Sequence, residues 1–369
     1  MKLPDHPQAQ MVLSTALQSD PSHAYLFHGP AGVGKRSAAR EFAAELLAEG
    51  DADPDGVRRR VLAGSHPDLA WVRPTGAHVM RRQDVAEPVI AAAAKTPFEA
   101  RRRVFVLERV DTMNDEAANA MLKTLEEPAS FVHLILLTEA LGRVQETIVS
   151  RCQLVRFDPL PAERIADALR AEGIESDRAE ACARLALGNA ARARFLASEE
   201  GQGLLDDVQR LVKAALDGGP EPPEPWRPLL DRADSRRAQA EEKAANERAE
   251  RLELEPKGRE RRTLERELEE AAKRDSRRAR TQVLDLGLTL AAISFRDLIC
   301  LVEGADEAVL GTDRAAALAH AARGRDSRRL REAAERCDDL RQALELNVNE
   351  ELALSALGFR LANLVGAPA

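Results

Sequence analysis

Short apolar runs alternate with amphipathic segments along the first 158 residues. The runs have the length and the β-branched content of buried strands, whereas the segments between them repeat apolar residues every three or four positions, as helices do. Such alternation predicts a parallel sheet covered by helices on both faces. The predicted strands are 24–27, 69–72, 103–107, 132–138 and 153–157; the predicted helices include 39–46, 85–94 and 114–127, with a polar turn between residues 48 and 68.

The strand pattern ends at Pro159, and helical periodicity continues to the last residues. We therefore predict a sheet domain over 1–158, a small helical domain over 159–200 and a larger helical domain over 201–369. Glycines and prolines interrupt the periodicity and separate the elements. The helices predicted there are 162–171, 176–187, 189–197, 204–216 and 344–364.

An unusually charged insertion occupies residues 227–280, where Arg and Lys alternate with Glu around a break at 256–258. Interspersed charges of both signs are typical of a solvated helical hairpin that is held by ion pairs between positions i and i+4. A DNA-contacting arm is the alternative interpretation. The alternating signs favour the hairpin, because an arm for DNA would concentrate positive charge.

A glycine-rich turn joins the first strand to the first predicted helix, and it reads GPAGVGK from Gly29 to Lys35. Between a strand and a helix, this spacing predicts a phosphate-binding loop, whose backbone N–H groups and lysine face a phosphate. The motif requires Ser or Thr directly after the lysine, as a magnesium ligand. Arg36 occupies that position and Ser37 follows one residue late, so we expect the loop to handle magnesium poorly.

Composition narrows the function classes. Aromatic residues make up 3% of the 369 residues and the formal net charge is −8, which argues against a protein that coats single-stranded DNA. No apolar run approaches the length of a membrane helix, so we expect a cytoplasmic protein with no membrane partner. The four cysteines form no CxxC pair, which favours reduced thiols over disulfides or zinc.

Several motifs together resemble the delta-prime subunits of bacterial DNA polymerase III clamp loaders, an AAA+ family. They are the phosphate loop with its strand, GSHPD at 64–68, ANAMLKTLEEP at 118–128, SRC at 150–152 and GNAAR at 188–192. The pairing of LKTLEEP with SRC is highly specific, and the resemblance extends over nearly the whole chain. The charged insertion and the NVN sequence at 347–349 look like actinobacterial-type members.

The resemblance implies an α/β AAA+ fold: a RecA-like P-loop domain, an α-helical lid and an α-helical collar domain for oligomerisation. It implies a subunit of the DNA polymerase III holoenzyme that has no polymerase active site of its own. The implied partners are gamma/tau-type and delta-type subunits in a heteropentameric ring, the sliding clamp, and primer-template DNA reached through the complex. Whether ATP or ADP stays bound is left open by the sequence.

The chain departs from the family at the positions that hydrolysis needs. An active member has Asp-Glu after the third strand, for magnesium and for the attacking water. This chain has Glu108 and Arg109, and Arg109 cannot orient water as a carboxylate does. Asp111 is assigned to the following turn. The four-cysteine zinc module that many relatives carry is absent from residues 48–64, so we predict no metal.

Arg151 of the SRC motif is the predicted catalytic residue, because the resemblance makes it an arginine finger for the nucleotide of a neighbouring subunit. A helix-terminal arginine that neutralises exposed carbonyls is the alternative. Thr138 lies near the family's first sensor position and Arg192 in its second. Cys152 is expected to be packed rather than nucleophilic. The predicted nucleotide-binding residues are Gly29, Gly32, Gly34, Lys35, Arg36, Ser37, Thr138 and Arg192.

Three functions compete at this point. The first is a weakly active or inactive clamp-loader subunit that contributes Arg151 in trans. The second is a self-sufficient AAA+ ATPase, which requires that Arg36 and the Glu108–Arg109 pair be tolerated. The third is a small-molecule P-loop kinase, which leaves the SRC motif and the helical C-terminal part unexplained.

Overall fold

The computed structural model describes residues 3, 5–74, 79–218, 224–253, 259–344 and 348–366. The chain forms two compact units, Met1–Leu160 and Pro161–Ala369. Their boundary lies within two residues of the predicted end of the sheet domain at residue 158. The further division at residue 200 stays a prediction.

A five-stranded sheet forms the first unit, in the order β2-β3-β4-β1-β5. All neighbouring strands pair in parallel, as the sequence predicts. The inner strands β3 and β4 are apolar and buried because helices cover both faces of the sheet. The strands are β1 (Ala24–His28), β2 (Leu69–Val72), β3 (Arg103–Glu108), β4 (Val132–Thr138) and β5 (Gln153–Arg156).

The helices of the first unit cover two separate apolar cores. On one face, alternate strand residues such as Phe27 and Val106 pack against the first helices, including Phe42. On the other face, Phe105 and Leu136 pack with helix residues such as Met121. The helices are α1 (Pro7–Gln18), α2 (Lys35–Ala48), α3 (Pro54–Ala63), α4 (Arg82–Val85, continued by a π-helical turn at Ala86–Ala91), α5 (Asp115–Glu126) and α6 (Glu146–Val149).

Two elements of this unit differ from the prediction. The expected polar turn at 48–68 contains α3, which Asp53 caps by accepting a hydrogen bond from Gly56 N at 2.9 Å. Its apolar residues are too few for periodicity to reveal it. The helix predicted at 85–94 is split between α4 and a π-helical turn that includes Pro88, where the backbone lacks an N–H donor.

The second unit is helical throughout its described elements, in agreement with the predicted fold class. Helix α8 ends before Leu187 and Gly188, both of which adopt positive φ, so it is shorter than predicted. The helix predicted at 344–364 has the wrong start, because Leu344 ends α14 and Asn349 caps α15. The helices are α7 (Ala162–Ala171), α8 (Ser176–Leu185), α9 (Ala190–Ala197), α10 (Glu199–Leu216), α11 (Arg227–Glu253), α12 (Arg259–Val302), α13 (Ala315–Ala322), α14 (Ser327–Leu344) and α15 (Glu350–Val365).

The charged insertion is helical and forms the packed pair α11 and α12, which confirms the predicted hairpin. Pairs at i and i+4 line both helices, for example Arg237 with Glu241 at 2.8 Å and Lys273 with Glu269 at 2.7 Å. The break predicted at 256–258 lies outside the described residues, as does Asn347 of the NVN sequence. Among the described helices, none is long and apolar enough to cross a membrane.

Candidate functional site

The candidate site lies at the carboxyl edge of the parallel sheet. Strand β1 ends at His28, which pairs in register with Thr138 at the end of β4. Glu108, at the end of β3, pairs with Leu137 of the same strand. Ligands of open α/β sheets bind at this edge, where the strand order changes direction. The topology therefore brings the phosphate loop together with Glu108 and Thr138.

The phosphate loop takes a conformation that its glycines permit. Gly29 has φ +144°, and a Cβ there would lie 2.0 Å from Phe157 O. Gly34 has φ +99° and precedes α2 without a side-chain cap for the first N–H groups of that helix. Uncapped N–H groups at a helix start attract anions. The backbone thus fits the predicted contact with a phosphate.

Lys35 is 7% exposed and turns back over the loop. Its ammonium donates to Gly29 O at 2.5 Å and to Pro30 O at 2.6 Å. Burial lowers the pKa of Lys35, although the carboxylates of Glu139 and Asp111 oppose this shift. The lysine thus lies at the loop, as the motif predicts, and its charge is partly desolvated.

Arg36 and Glu108 contact each other directly. The Arg36 side chain is 61% exposed, whereas that of Glu108 is 3% exposed. The other oxygen of Glu108 accepts from Trp71 Nε1 at 2.6 Å and from Arg73 Nε at 3.0 Å. The two residues that depart from the ATPase motif therefore form one ion pair inside a four-residue cluster.

This arrangement does not fit the magnesium ion that a P-loop site implies. The hydroxyl ligand is replaced by Arg36, and Ser37 lies exposed on α2 one position later. Two guanidinium groups already hold the carboxylate of Glu108. A cation beside them would be repelled, by about 4 kcal/mol for two unit charges 4 Å apart at an effective dielectric constant of about 20. Among the described residues, no group of three or more acidic, His or Cys side chains could hold a metal.

Thr138 donates its hydroxyl hydrogen bond to Asp111 Oδ1 at 2.8 Å. Asp111 lies in a 3-10 turn, Val110–Thr112, which confirms its assignment to the turn after β3. Arg109 precedes that turn with φ +57°. Because Arg109 occupies the position of the water-orienting Glu, the edge of the sheet presents no carboxylate at that point.

Arg151 is held on the surface of the first unit by three acceptors. Its guanidinium donates to Glu126 Oε1 at 2.5 Å, to Thr147 O at 2.9 Å and to Ser150 Oγ at 3.2 Å. Glu126 belongs to LKTLEEP and Arg151 to SRC, so the two motifs of the resemblance contact each other. The contact with Thr147 O, near the end of α6, agrees with the alternative of a helix-terminal arginine, but the Glu126 contact is additional to it.

Arg192 lies in the second unit, at the start of α9. Its backbone N–H donates to Asn189 Oδ1 at 2.9 Å, so Asn189 caps the helix. Burial lowers the pKa of the Arg192 guanidinium, and the carboxylate of Asp285 opposes that shift. Its predicted role as the second sensor stays a prediction.

Three other candidate side chains are held by packing, an ion pair or hydrogen bonds within the first unit. Cys152 packs against the apolar core, and burial raises the pKa of its thiol to about 12. His66 lies 3.2 Å from Glu99, and burial lowers the pKa of its imidazole. Asp68 of the GSHPD motif accepts from three consecutive backbone N–H groups, those of residues 98–100, at 2.6 to 2.9 Å. These contacts give the GSHPD motif a role in shaping a loop.

The sequence of this chain is similar to those of DNA polymerase III subunits. The family model described as "DNA polymerase III, delta subunit" matches residues 5–161. This match spans the sheet of the first unit. DNA polymerase III subunit delta' of Bacillus subtilis (strain 168) is 36% identical over 184 residues, which cover 48% of this chain and 54% of that protein. The delta' subunit of Pseudomonas aeruginosa is 32% identical over 211 residues, which cover 54% of this chain and 64% of that protein.

The chain spans between half and two thirds of the length of these two relatives. They confirm the predicted resemblance to delta-prime subunits, while the actinobacterial type stays a prediction. A DNA polymerase III gamma subunit-related protein of Thermotoga maritima shares the fold at a TM-score of 0.50 and 17% identity, covering 96% of this chain and 99% of that chain. The predicted α/β fold with a parallel sheet and a helical C-terminal part is confirmed.

Sequence reasoning missed three residues that the structure places at the two sites. Trp71 and Arg73 hold Glu108, and no pattern in the sequence links β2 to β3 at this register. Glu126 lies in the LKTLEEP sequence, and the resemblance by itself assigns it no role. The signal for Glu126 was present, because a carboxylate in one family motif and an arginine in another are candidates for an ion pair.

Proposed function

We propose that this chain is a clamp-loader subunit of DNA polymerase III that hydrolyses ATP weakly or not at all and supplies Arg151 to a neighbouring ATPase subunit. In this role it helps load the sliding clamp onto primed DNA during replication. The observation that carries the proposal is the contact between Arg151 and Glu126, because it fixes an exposed guanidinium at the junction of the SRC and LKTLEEP motifs.

The geometry of Arg151 suits action in trans. A finger must be accessible to another chain and still be oriented, since misplacement by 1 Å can cost about 10²-fold in rate. The side chain of Arg151 is 35% exposed while three acceptors fix it. A guanidinium has five N–H donors, so hydrogens remain for a phosphate when these contacts persist.

Hydrolysis by the chain itself is opposed by three residues. Arg36 replaces the hydroxyl ligand, Glu108 is paired with arginines, and Arg109 replaces the carboxylate that orients water. Preorganised stabilisation of the γ-phosphate by magnesium and a positioned water supplies most of the catalysis in this reaction class. A self-sufficient ATPase would have to work without those groups.

The proposed partners are gamma/tau-type and delta-type subunits in a heteropentameric ring, together with the sliding clamp and primer-template DNA. Relatedness supports this choice: the tau subunit of DNA polymerase III of Bacillus subtilis (strain 168) is 33% identical over 156 residues. Subunits with related sheet domains can form a ring in which the finger of one faces the nucleotide of the next. The collar role of the second unit and the sensor role of Arg192 belong to this proposal.

The test has two parts. ATP turnover by the isolated full-length chain is expected to be absent or weak, whereas a loader assembled with gamma/tau-type and delta-type subunits is expected to hydrolyse ATP. Replacing Arg151 by Ala in this chain alone should reduce that hydrolysis without preventing assembly. Substantial turnover by the isolated chain, or hydrolysis that ignores the substitution, contradicts the proposal.

A further inference from the structure

We infer that the P-loop site of this chain excludes divalent cations and binds nucleoside polyphosphates free of metal, with the Arg36 guanidinium in the place of magnesium. The inference rests on the proposed function, because both treat residues 29–37 as a nucleotide site that does not hydrolyse ATP. It adds the form of the ligand and the residue that compensates the phosphate charge.

The two residues that would hold the metal are replaced by an ion pair. In a P-loop site one is the hydroxyl directly after the lysine and the other is a carboxylate at a strand end. Here those positions are Arg36 and Glu108, and they pair with each other. A cation is thus already present at the metal position, as a side chain.

The Glu108 carboxylate has few acceptor sites left for a metal ion. One oxygen accepts from Arg36, and the other accepts from Trp71 and Arg73. A carboxylate offers about four acceptor sites, so three are in use. Magnesium requires near-ideal octahedral oxygen ligands and gives up its water reluctantly. It would have to displace the donors from Arg36, Trp71 and Arg73, which already occupy both oxygens of this buried carboxylate.

Part of the Arg36 guanidinium remains available to a ligand. Only the NH2 nitrogen of Arg36 contacts Glu108, and within the described part of the chain no further acceptor is bonded to this guanidinium. The exposed remainder of the fork can contact phosphate oxygens in the bidentate manner that arginine favours. It projects from the first turn of α2, whose N-terminal N–H groups have no side-chain cap. Arginine and helix start therefore face the same anion.

Two acidic residues also belong to this edge of the sheet. Asp111 and Glu139 act on Lys35, and Asp111 accepts from the Thr138 hydroxyl. Asp111 and Glu139 are thus the carboxylates near the loop that could offer magnesium an alternative ligand. A requirement for magnesium in nucleotide binding would point to them and overturn the inference.

The experiment uses the full-length chain with Trp226→Phe, which leaves Trp71 as the single tryptophan. Because the Trp71 indole donates to Glu108, its fluorescence reports on the cluster. ADP and ATP are titrated in EDTA and again in excess magnesium chloride, with calorimetry as an independent readout. Magnesium binds ADP and ATP in solution and depletes the metal-free nucleotide, so binding expressed against total nucleotide should be weaker in excess magnesium chloride than in EDTA. Expressed against the concentration of metal-free nucleotide, the dissociation constants should agree within about twofold. Binding that requires magnesium, or no binding in either condition, overturns the inference.

Two variants sharpen this test. Arg36→Ala is expected to weaken ADP binding in EDTA about tenfold, and since the side chain is exposed the fold should persist. Arg36→Thr with Glu108→Asp rebuilds the usual ligand pair and should make binding about tenfold tighter with magnesium than without. Arg59→Thr, at an exposed arginine of α3, is the matched control and should change neither value.

The variants also separate this inference from the proposed function. Nucleotide binding is measured on the isolated chain, whereas action in trans is measured as hydrolysis by the assembled loader. Failure to bind nucleotide while Arg151→Ala still lowers loader hydrolysis would overturn the inference alone. Binding of metal-free nucleotide without an effect of Arg151→Ala would overturn the proposed function alone.

Discussion

Arg36 and Glu108, 72 residues apart in the sequence, form an ion pair at the carboxyl edge of the sheet. Each residue alone departs from the pattern of an active P-loop ATPase. Together they compensate each other in charge, because the Arg36 guanidinium neutralises the buried Glu108 carboxylate in the place of a metal ion. Restoring a hydroxyl at position 36 alone would remove one of the two guanidinium groups that hold Glu108 and leave the contact with Arg73.

The cluster around Glu108 should contribute to the stability of the first unit. Glu108→Ala removes the acceptor of the Trp71 indole and of Arg73. Arg73 is half exposed and can donate to water instead, so the loss of the indole hydrogen bond should dominate and lower the free energy of unfolding by about 1 kcal/mol. Urea unfolding followed by Trp71 fluorescence measures this loss in the Trp226→Phe background. Glu108→Gln keeps an acceptor for the indole and should lose less. Equal stability of all three proteins would contradict the assigned contacts.

Glu126 should act as a positioning residue for Arg151. In a loader assembled with Glu126→Gln in this chain, we expect kcat for ATP hydrolysis to fall about tenfold, since the finger loses its charged partner and its fixed orientation. KM for ATP should stay near the wild-type value, because the substrate does not contact Glu126. The neighbouring exposed Glu127→Gln is the matched control. A loss of assembly, or an equal effect at Glu127, would argue against a positioning role.

Asp68 should make stability depend on acid pH. Burial raises the pKa of Asp68, but hydrogen bonds from the backbone of Ala100, Glu99 and Phe98 bring it below the ordinary value of 3.8. A group with a depressed pKa stabilises the fold above its unfolded pKa, and that contribution is lost as the pH falls through the folded pKa. We therefore expect Asp68→Asn to lower the free energy of unfolding by about 1–3 kcal/mol at neutral pH.

The pH series supplies the check on this assignment. The difference in unfolding free energy between wild type and Asp68→Asn should narrow as the pH falls below about 4, because the wild-type carboxyl becomes protonated. Asp55→Asn, at an exposed aspartate, should change stability by less than about 0.5 kcal/mol at any of these pH values. A difference that is constant with pH would mean that the charge of Asp68 is not involved.

Three of the cysteines should be unreactive in the folded chain. Burial raises the pKa of Cys152 and Cys337 to about 12 and that of Cys182 to about 11. Since the thiolate is the reactive form, alkylation by iodoacetamide at about pH 8 should be roughly 100-fold slower than in urea-unfolded protein. Mass spectrometry of the alkylated protein measures each site. Rapid labelling of Cys152 would contradict its position against the core.

The sequence predicts the sheet domain well because its signals are local. Each strand is a short apolar run, and the helix after residue 114 carries its own cap in Asn114, which accepts from Ala117 N at 2.9 Å. Helix α3 was missed because its stability depends on a cap and on two buried valines, Val57 and Val61, rather than on a long apolar stripe. The start of α15 was misplaced because the apolar pattern runs on from the end of α14.

Each candidate site also combines a local motif, which the sequence displays, with distant partners, which it does not. The phosphate loop and the SRC motif are contiguous in sequence, so spacing identifies them. The partners of Glu108 and Arg151 come from other strands and helices, since Trp71 is 37 residues from Glu108 and Glu126 is 25 residues from Arg151. Such contacts follow from strand register and tertiary packing, which a single sequence does not display.

Action of Arg151 in trans is tested by ATP hydrolysis in the assembled loader, with Arg151 changed in this chain alone. We expect Arg151→Ala to lower the DNA- and clamp-stimulated rate by about 10³-fold at the neighbouring site. Arg151→Lys, which keeps the charge but loses the planar fork, should recover little of it. The exposed Arg143→Ala serves as the matched control, and size-exclusion chromatography checks assembly. An unchanged rate in a fully assembled Arg151→Ala loader would show that Arg151 does not act in trans.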